Sequence, residues 1–153
     1  MATNKKHIVL LAYYFPPKNH VAARRSFSFY KYLPSDQYKV SVITSVKTDE
    51  KDAHFVNPDK GLRRRNTAGK YFLINKMNAV FNKVFLHFFL DEASSWTKGV
   101  LKKLNHIHQA EPVDLVISSF SPISTLFAGE KFLTANPSVK WVMDMRDEFS
   151  TSP

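Results

Sequence analysis

The stretch His7–Arg25, HIVLLAYYFPPKNHVAARR, decides how the rest of the chain is read. Its apolar run, Ile8 to Ala12, has the length and composition of a buried strand. Tyr13-Tyr14-Phe15-Pro16-Pro17 ends that strand, because proline has no N–H to give a ladder and keeps the residue before it extended. Asn19 is the expected N-cap of a helix running from Val21, with Arg24 and Arg25 in its first turns. Strand, tight loop and helix in this order form the opening unit of a nucleotide-binding α/β domain. There the exposed N–H groups and positive dipole end of the first helix face the mouth of the sheet, so an anionic ligand is expected.

Working outward, Phe27, Tyr30 and Leu33 recur at helical spacing and should dock the first helix on the sheet before Pro34-Ser35-Asp36 ends it. Lys39 to Thr44 alternates polar and apolar residues and reads as a second strand, parallel to the first because a helix connects them. Ser45 to Asn66 is polar, holds Pro58 and Gly61, and is expected to be a long loop with room for one short helix. Ser94 or Ser95 should cap a helix through Val100, Leu101, Leu104 and Ile107. A third strand, Val113 to Ser118, leads into a second strand-to-helix corner, Ser119-Phe120-Ser121-Pro122. The next helix carries Leu126, Ala128, Phe132 and Leu133 and stops before Asn136-Pro137; a fourth strand, Val139 to Met143, then runs into Asp144-Met145-Arg146-Asp147. The expected fold class is α/β, a parallel sheet flanked by helices. Ligand groups are expected at the carboxyl ends of the strands: Pro17 to Val21, Ser119 to Pro122, and Asp144 to Asp147.

The chain has 153 residues, enough for one domain with a real core, and no cysteine, which excludes disulfides and zinc–thiolate sites. Its amino-terminal lysines precede an apolar run that ends in aromatics and prolines with no small-residue cleavage site, so the run reads as a strand and not a signal peptide. Lys76 and Lys83 interrupt the most apolar long stretch, which leaves no segment suited to span a bilayer. The formal charge of +9 points to an anionic partner. Much of it sits between Lys60 and Lys83, where Ile74, Met77, Phe81, Val84 and Phe88 also keep helical spacing. A basic amphipathic helix of this kind suits an anionic membrane surface, with Arg63, Arg64, Arg65, Lys70, Lys76 and Lys83 facing the headgroups. The alternative is a stripe packed on the domain with solvated cations. Nucleic acid is not expected as a partner, since no recognition motif accompanies the charge.

Two separated motifs carry a resemblance, with the serine–proline corner between them and the acidic pair Asp91-Glu92 before Trp96 adding to it. They are the strand with Tyr13-Tyr14-Phe15-Pro16-Pro17 and Ala22-Ala23 before Arg24-Arg25, and Trp141-Val142-Met143-Asp144-Met145-Arg146-Asp147, which fits a Trp-Val-x-Asp-x-Arg-Asp run at every fixed position. In this order they resemble the amino-terminal domain of family 4 glycosyltransferases, two-domain enzymes of the GT-B fold. Asn19-His20 stands where many members carry Gly-Gly. The resemblance implies that residues 1–153 form the acceptor-side Rossmann-like domain, incomplete at its carboxyl end and without a counterpart of the donor-binding domain. It implies retaining transfer of a sugar from a nucleotide-sugar to a lipid-linked or polysaccharide acceptor, in the cytoplasm at the inner face of the membrane, with no cofactor or metal. The chain alone is expected to be inactive without the missing domain or a partner subunit. The alternative is a non-catalytic Rossmann-like binding module.

On this reading His20 and Asp147 are the candidate catalytic residues. Pro17, Asn19, Val21, Arg24, Arg25, Ser119, Ser121, Asp144 and Arg146 are the candidate substrate-binding ones. Neighbours on a helix diverge by about 100°, so only one of Arg24 and Arg25 faces the cleft. Asp144, Arg146 and Asp147 equally suit an internal ion-pair cluster. Ser121 lacks the flanking glycines of a nucleophile elbow. His106 and His108, two apart on a helix, do not share a face for a metal.

Overall fold

A computed structural model describes residues 5–58, 95–120 and 122–145. The elements are β1 (Lys6–Ala12), α1 (Val21–Tyr32), β2 (Tyr38–Thr44), β3 (Ala53–Phe55), α2 (Trp96–Ala110), β4 (Leu115–Ser119), α3 (Ser124–Ala135) and β5 (Lys140–Asp144). The strands form one five-stranded, all-parallel sheet in the order β3-β2-β1-β4-β5, flanked by helices in a Rossmann-like α/β arrangement.

The continuous apolar run of β1 follows from its central place in this sheet, buried on both faces. Ile8, Leu10 and Ala12 turn to one face with Phe15, Val42 and Ile117, where Phe27 and Tyr30 of α1 and Leu33 at its C-cap cover them. Val9 and Leu11 turn to the other face with Ile43 and Val116, beneath Trp96, Val100, Leu104 and Ile107 of α2 and Ala128 and Phe132 of α3. The docking face expected for the first helix is therefore correct. Small buried residues, Ala22, Ala23 and Ser26, let α1 approach the strands closely.

Two expectations need correction. The stretch after β2 is not only loop, because Ala53–Phe55 adds a strand parallel to β2. The Val42 amide donates to the Asp52 carbonyl at 2.9 Å, and the Val56 amide donates to the Thr44 carbonyl at 2.8 Å, which extends the ladder beyond the strand itself. The sheet thus has five strands where four are expected. The cap of α1 is His20 and not Asn19: the His20 Nδ1 accepts from the Ala22 amide at 3.2 Å from an extended backbone (φ −140°, ψ 145°). Asn19 instead accepts at Oδ1 from Arg24 Nη2 at 3.1 Å. The basic aromatic segment with Arg63, Arg64, Arg65, Lys70, Lys76 and Lys83 lies outside the described residues. No described helix is long and apolar enough to cross a membrane.

Candidate functional site at the carboxyl edge of the sheet

The strand order reverses direction between β1 and β4, which are hydrogen-bonded neighbours. In open parallel sheets the crevice outside the carboxyl ends of two such strands is where ligands bind. Three segments end there: the β1–α1 corner, the β4–α3 corner, and the tip of β5.

The β1–α1 corner turns through Tyr13 to His20. It contains a cis Pro16-Pro17 bond, and its backbone is closed by Lys18 N–H to the Phe15 carbonyl (3.1 Å) and His20 N–H to the Lys18 carbonyl (3.0 Å). Pro17, Asn19, His20 and Val21 are all exposed, Val21 at 64%. From behind, the Tyr13 carbonyl accepts from Ser45 Oγ at 2.7 Å, from the Ser45 amide at 3.3 Å and from Thr44 Oγ1 at 3.4 Å, tying the corner to the end of β2. The His20 ring stacks on Tyr14 at 4.3 Å between centroids, and the Lys18 ammonium lies 4.4 Å from the same Tyr14 ring.

Helix phase decides between the two arginines. Arg24 is exposed and reaches back to Asn19. Arg25 follows buried Ala22 by three positions, so it borders the inward stripe and crosses to the tip of β5. Its Nε lies 2.9 Å from both carboxylate oxygens of Asp144, and its Nη2 donates to Oδ1. The Asp144 carboxylate is 5% exposed and also accepts from Ser119 Oγ at 3.1 Å. These charge-assisted bonds, reinforced by the attraction between the charges, raise the Arg25 pKa and hold the guanidinium charged. Segments 119 residues apart in sequence are thereby joined at one point.

Ser119 does not cap the helix that follows, whose N-cap is Ile123; its hydroxyl donates to Asp144. The β4–α3 corner is held instead by Thr125, whose Oγ1 donates to the Ser119 carbonyl at 2.9 Å and to the Pro122 carbonyl at 2.8 Å. Thr125 was not singled out from sequence, although a threonine three residues after a proline at a helix start is a recognisable turn former. Ser121, Arg146 and Asp147 lie outside the described residues.

The carboxyl edge of the sheet is therefore braced. Arg25, Ser119 and Asp144 hold it from within, and Lys18, Arg24 and the His20 imidazole are exposed along its rim. Such a rim suits an anionic or hydroxyl-bearing ligand held by positional and electrostatic means. Among the described residues no group of three or more histidines and carboxylates is placed to hold a metal ion. In comparisons with known proteins, no family model, no curated protein and no solved structure matches this chain.

Proposed function

We propose that the chain is the amino-terminal, acceptor-side domain of a retaining, GT-B-type family 4 glycosyltransferase. It would serve transfer of a sugar from a nucleotide-sugar to a lipid-linked or polysaccharide acceptor at an anionic membrane surface. The observation that carries the reading is the meeting of both motif-bearing segments and the serine–proline corner at the switch point, joined by Arg25, Asp144 and Ser119. The +9 charge and the basic aromatic stretch support the membrane-surface part. In this role Arg25 and Ser119 fix Asp144 and the tip of β5, while the exposed rim of the first corner meets the charged end of a substrate. The test uses the polypeptide as its source cells make it, incubated with a panel of nucleotide-sugars and with anionic vesicles carrying polyisoprenyl-linked acceptors. Release of nucleoside diphosphate with labelled product in the lipid fraction is expected; the absence of both hydrolysis and transfer with every donor would refute the proposal.

A second reading, a non-catalytic Rossmann-like module or a subunit that needs a separate donor-binding domain, is favoured by one observation. The buried Asp144 carboxylate at the tip of β5 already has hydrogen-bond partners within the chain. Co-purification with a second nucleotide-sugar-binding polypeptide would support it, and activity of the isolated protein would exclude it.

A further inference from the structure

The aromatic side chains behind the first corner form a ladder from core to surface. Trp96 is fully buried, and its indole N–H donates to the Val56 carbonyl at 3.0 Å. Tyr13 meets Trp96 edge to face at 5.2 Å, Tyr14 meets Tyr13 edge to face at 5.1 Å, and His20 stacks on Tyr14 at 4.3 Å with 30° between planes. The orientation of an exposed imidazole is thus set from within the protein.

That orientation fixes where the proton sits. The Ala22 amide can only donate, so the Nδ1 atom 3.2 Å away presents its lone pair. A neutral imidazole then carries its one proton on Nε2. Turning the ring over would set a C–H against the amide and lose the cap of α1. While the cap is made, the ring has no lone pair left to take a proton from an acceptor hydroxyl.

We propose that Tyr14 is a positioning residue that holds His20 as a fixed hydrogen-bond donor, its Nε2–H offered to a phosphoryl oxygen of the ligand. Lys18 lies against the same Tyr14 ring and Arg24 against Asn19, and residues 13–25 contain no carboxylate, so the oxygen that fits is anionic. The side chain thereby does by one N–H what glycine-lined loops do with main-chain amides. The identity of the phosphate-bearing ligand rests on the glycosyltransferase reading, whereas the proton position does not.

The test is long-range proton–nitrogen NMR on the full protein with labelled histidine, the His20 signals being assigned by their loss in His20→Gln. In the native protein and in Tyr14→Phe, which keeps the ring, His20 is expected as a single Nε2–H tautomer at pH 7.5. Adding inorganic pyrophosphate should shift its Nε2 resonance. In Tyr14→Leu, checked as folded by its amide spectrum, a mixture of tautomers is expected, with pyrophosphate affinity reduced about threefold to tenfold. An Nδ1–H tautomer in the native protein, a single tautomer surviving in Tyr14→Leu, or an Nε2 signal unmoved by saturating pyrophosphate would each overturn the inference. Parallel titrations with a nucleoside diphosphate in solution and a polyisoprenyl diphosphate in neutral vesicles identify which substrate supplies the oxygen. If the tautomer and the pyrophosphate response hold while no sugar is transferred, it is the glycosyltransferase reading that fails.

Discussion

Replacing Arg25 by methionine keeps the length of the side chain and removes its charge, leaving Asp144 with the Ser119 hydroxyl as its remaining side-chain donor. Removing one partner of a fully buried ion pair costs about 3–5 kcal/mol, because the other charge is stranded away from water. Here the carboxylate is 5% exposed but the Arg25 side chain is 46% exposed. Water already reaches the guanidinium side and stays to solvate the carboxylate in the variant, so the cost is scaled down to about 2 kcal/mol. With a urea m-value of about 2 kcal/mol/M, the unfolding midpoint falls by about 1 M. Arg25→Lys keeps the charge but loses the planar fork and should recover only part of this. The double variant Arg25→Met/Asp144→Leu should be more stable than Arg25→Met alone, since no carboxylate is then stranded. A midpoint shift below about 0.25 M for Arg25→Met would match an ordinary surface pair and would refute the bracing role.

Gly129→Ala should destabilise although alanine is the better helix former by about 1 kcal/mol. An added Cβ would lie 2.5 Å from Ser118 Oγ and 2.9 Å from Trp141 Nε1, against the 3.0 Å hydrogen bond that joins them. A loss of about 1–3 kcal/mol in urea unfolding is expected. Stability should also fall on acidification from pH 7.5 to 5.5. Burial, with Lys103 adding repulsion and Asp52 opposing, lowers the His54 pKa from 6.5. The unfolded chain therefore takes up the proton more readily, and this stabilisation, present above 6.5, is lost as pH falls below it. His54→Gln should shrink the difference between the two midpoints. At the surface, the Lys39 hydrogen bond lowers the Glu111 pKa against a smaller opposing effect of burial, and both side chains are 44% exposed. Glu111→Gln should cost less than about 1 kcal/mol, and the cost should vanish in 1 M salt.

The alternation of strands and helices is legible because β1 and β4 are buried on both faces and so read as unbroken apolar runs, and because proline and serine clusters punctuate them. β3 is not legible. Three residues, two half-buried and one exposed, carry no period, and only the ladder to β2 makes them a strand. The α1 cap is misread because asparagine outranks histidine as a cap on local preference, whereas here an imidazole stacked on Tyr14 meets the Ala22 amide. That Asp144, the serine corner and one of two arginines meet at the carboxyl edge of the sheet follows from strand ends alone. Which arginine it is was open to a helix-phase argument: Ala22, Ala23 and Ser26 mark the inward stripe, and Arg25 borders it. The assignment of the Ser119 hydroxyl to Asp144 needed the register that sets Ser119 beside Asp144.

The three donors that converge on the Tyr13 carbonyl make the first corner part of the sheet's rigid body, although it belongs to no strand. The Ser45 amide should accordingly exchange with solvent deuterium as slowly as the central ladder. A ligand arriving there meets a shape already made. At this corner little ordering entropy opposes its capture, and its association rate should be set by diffusion and charge steering.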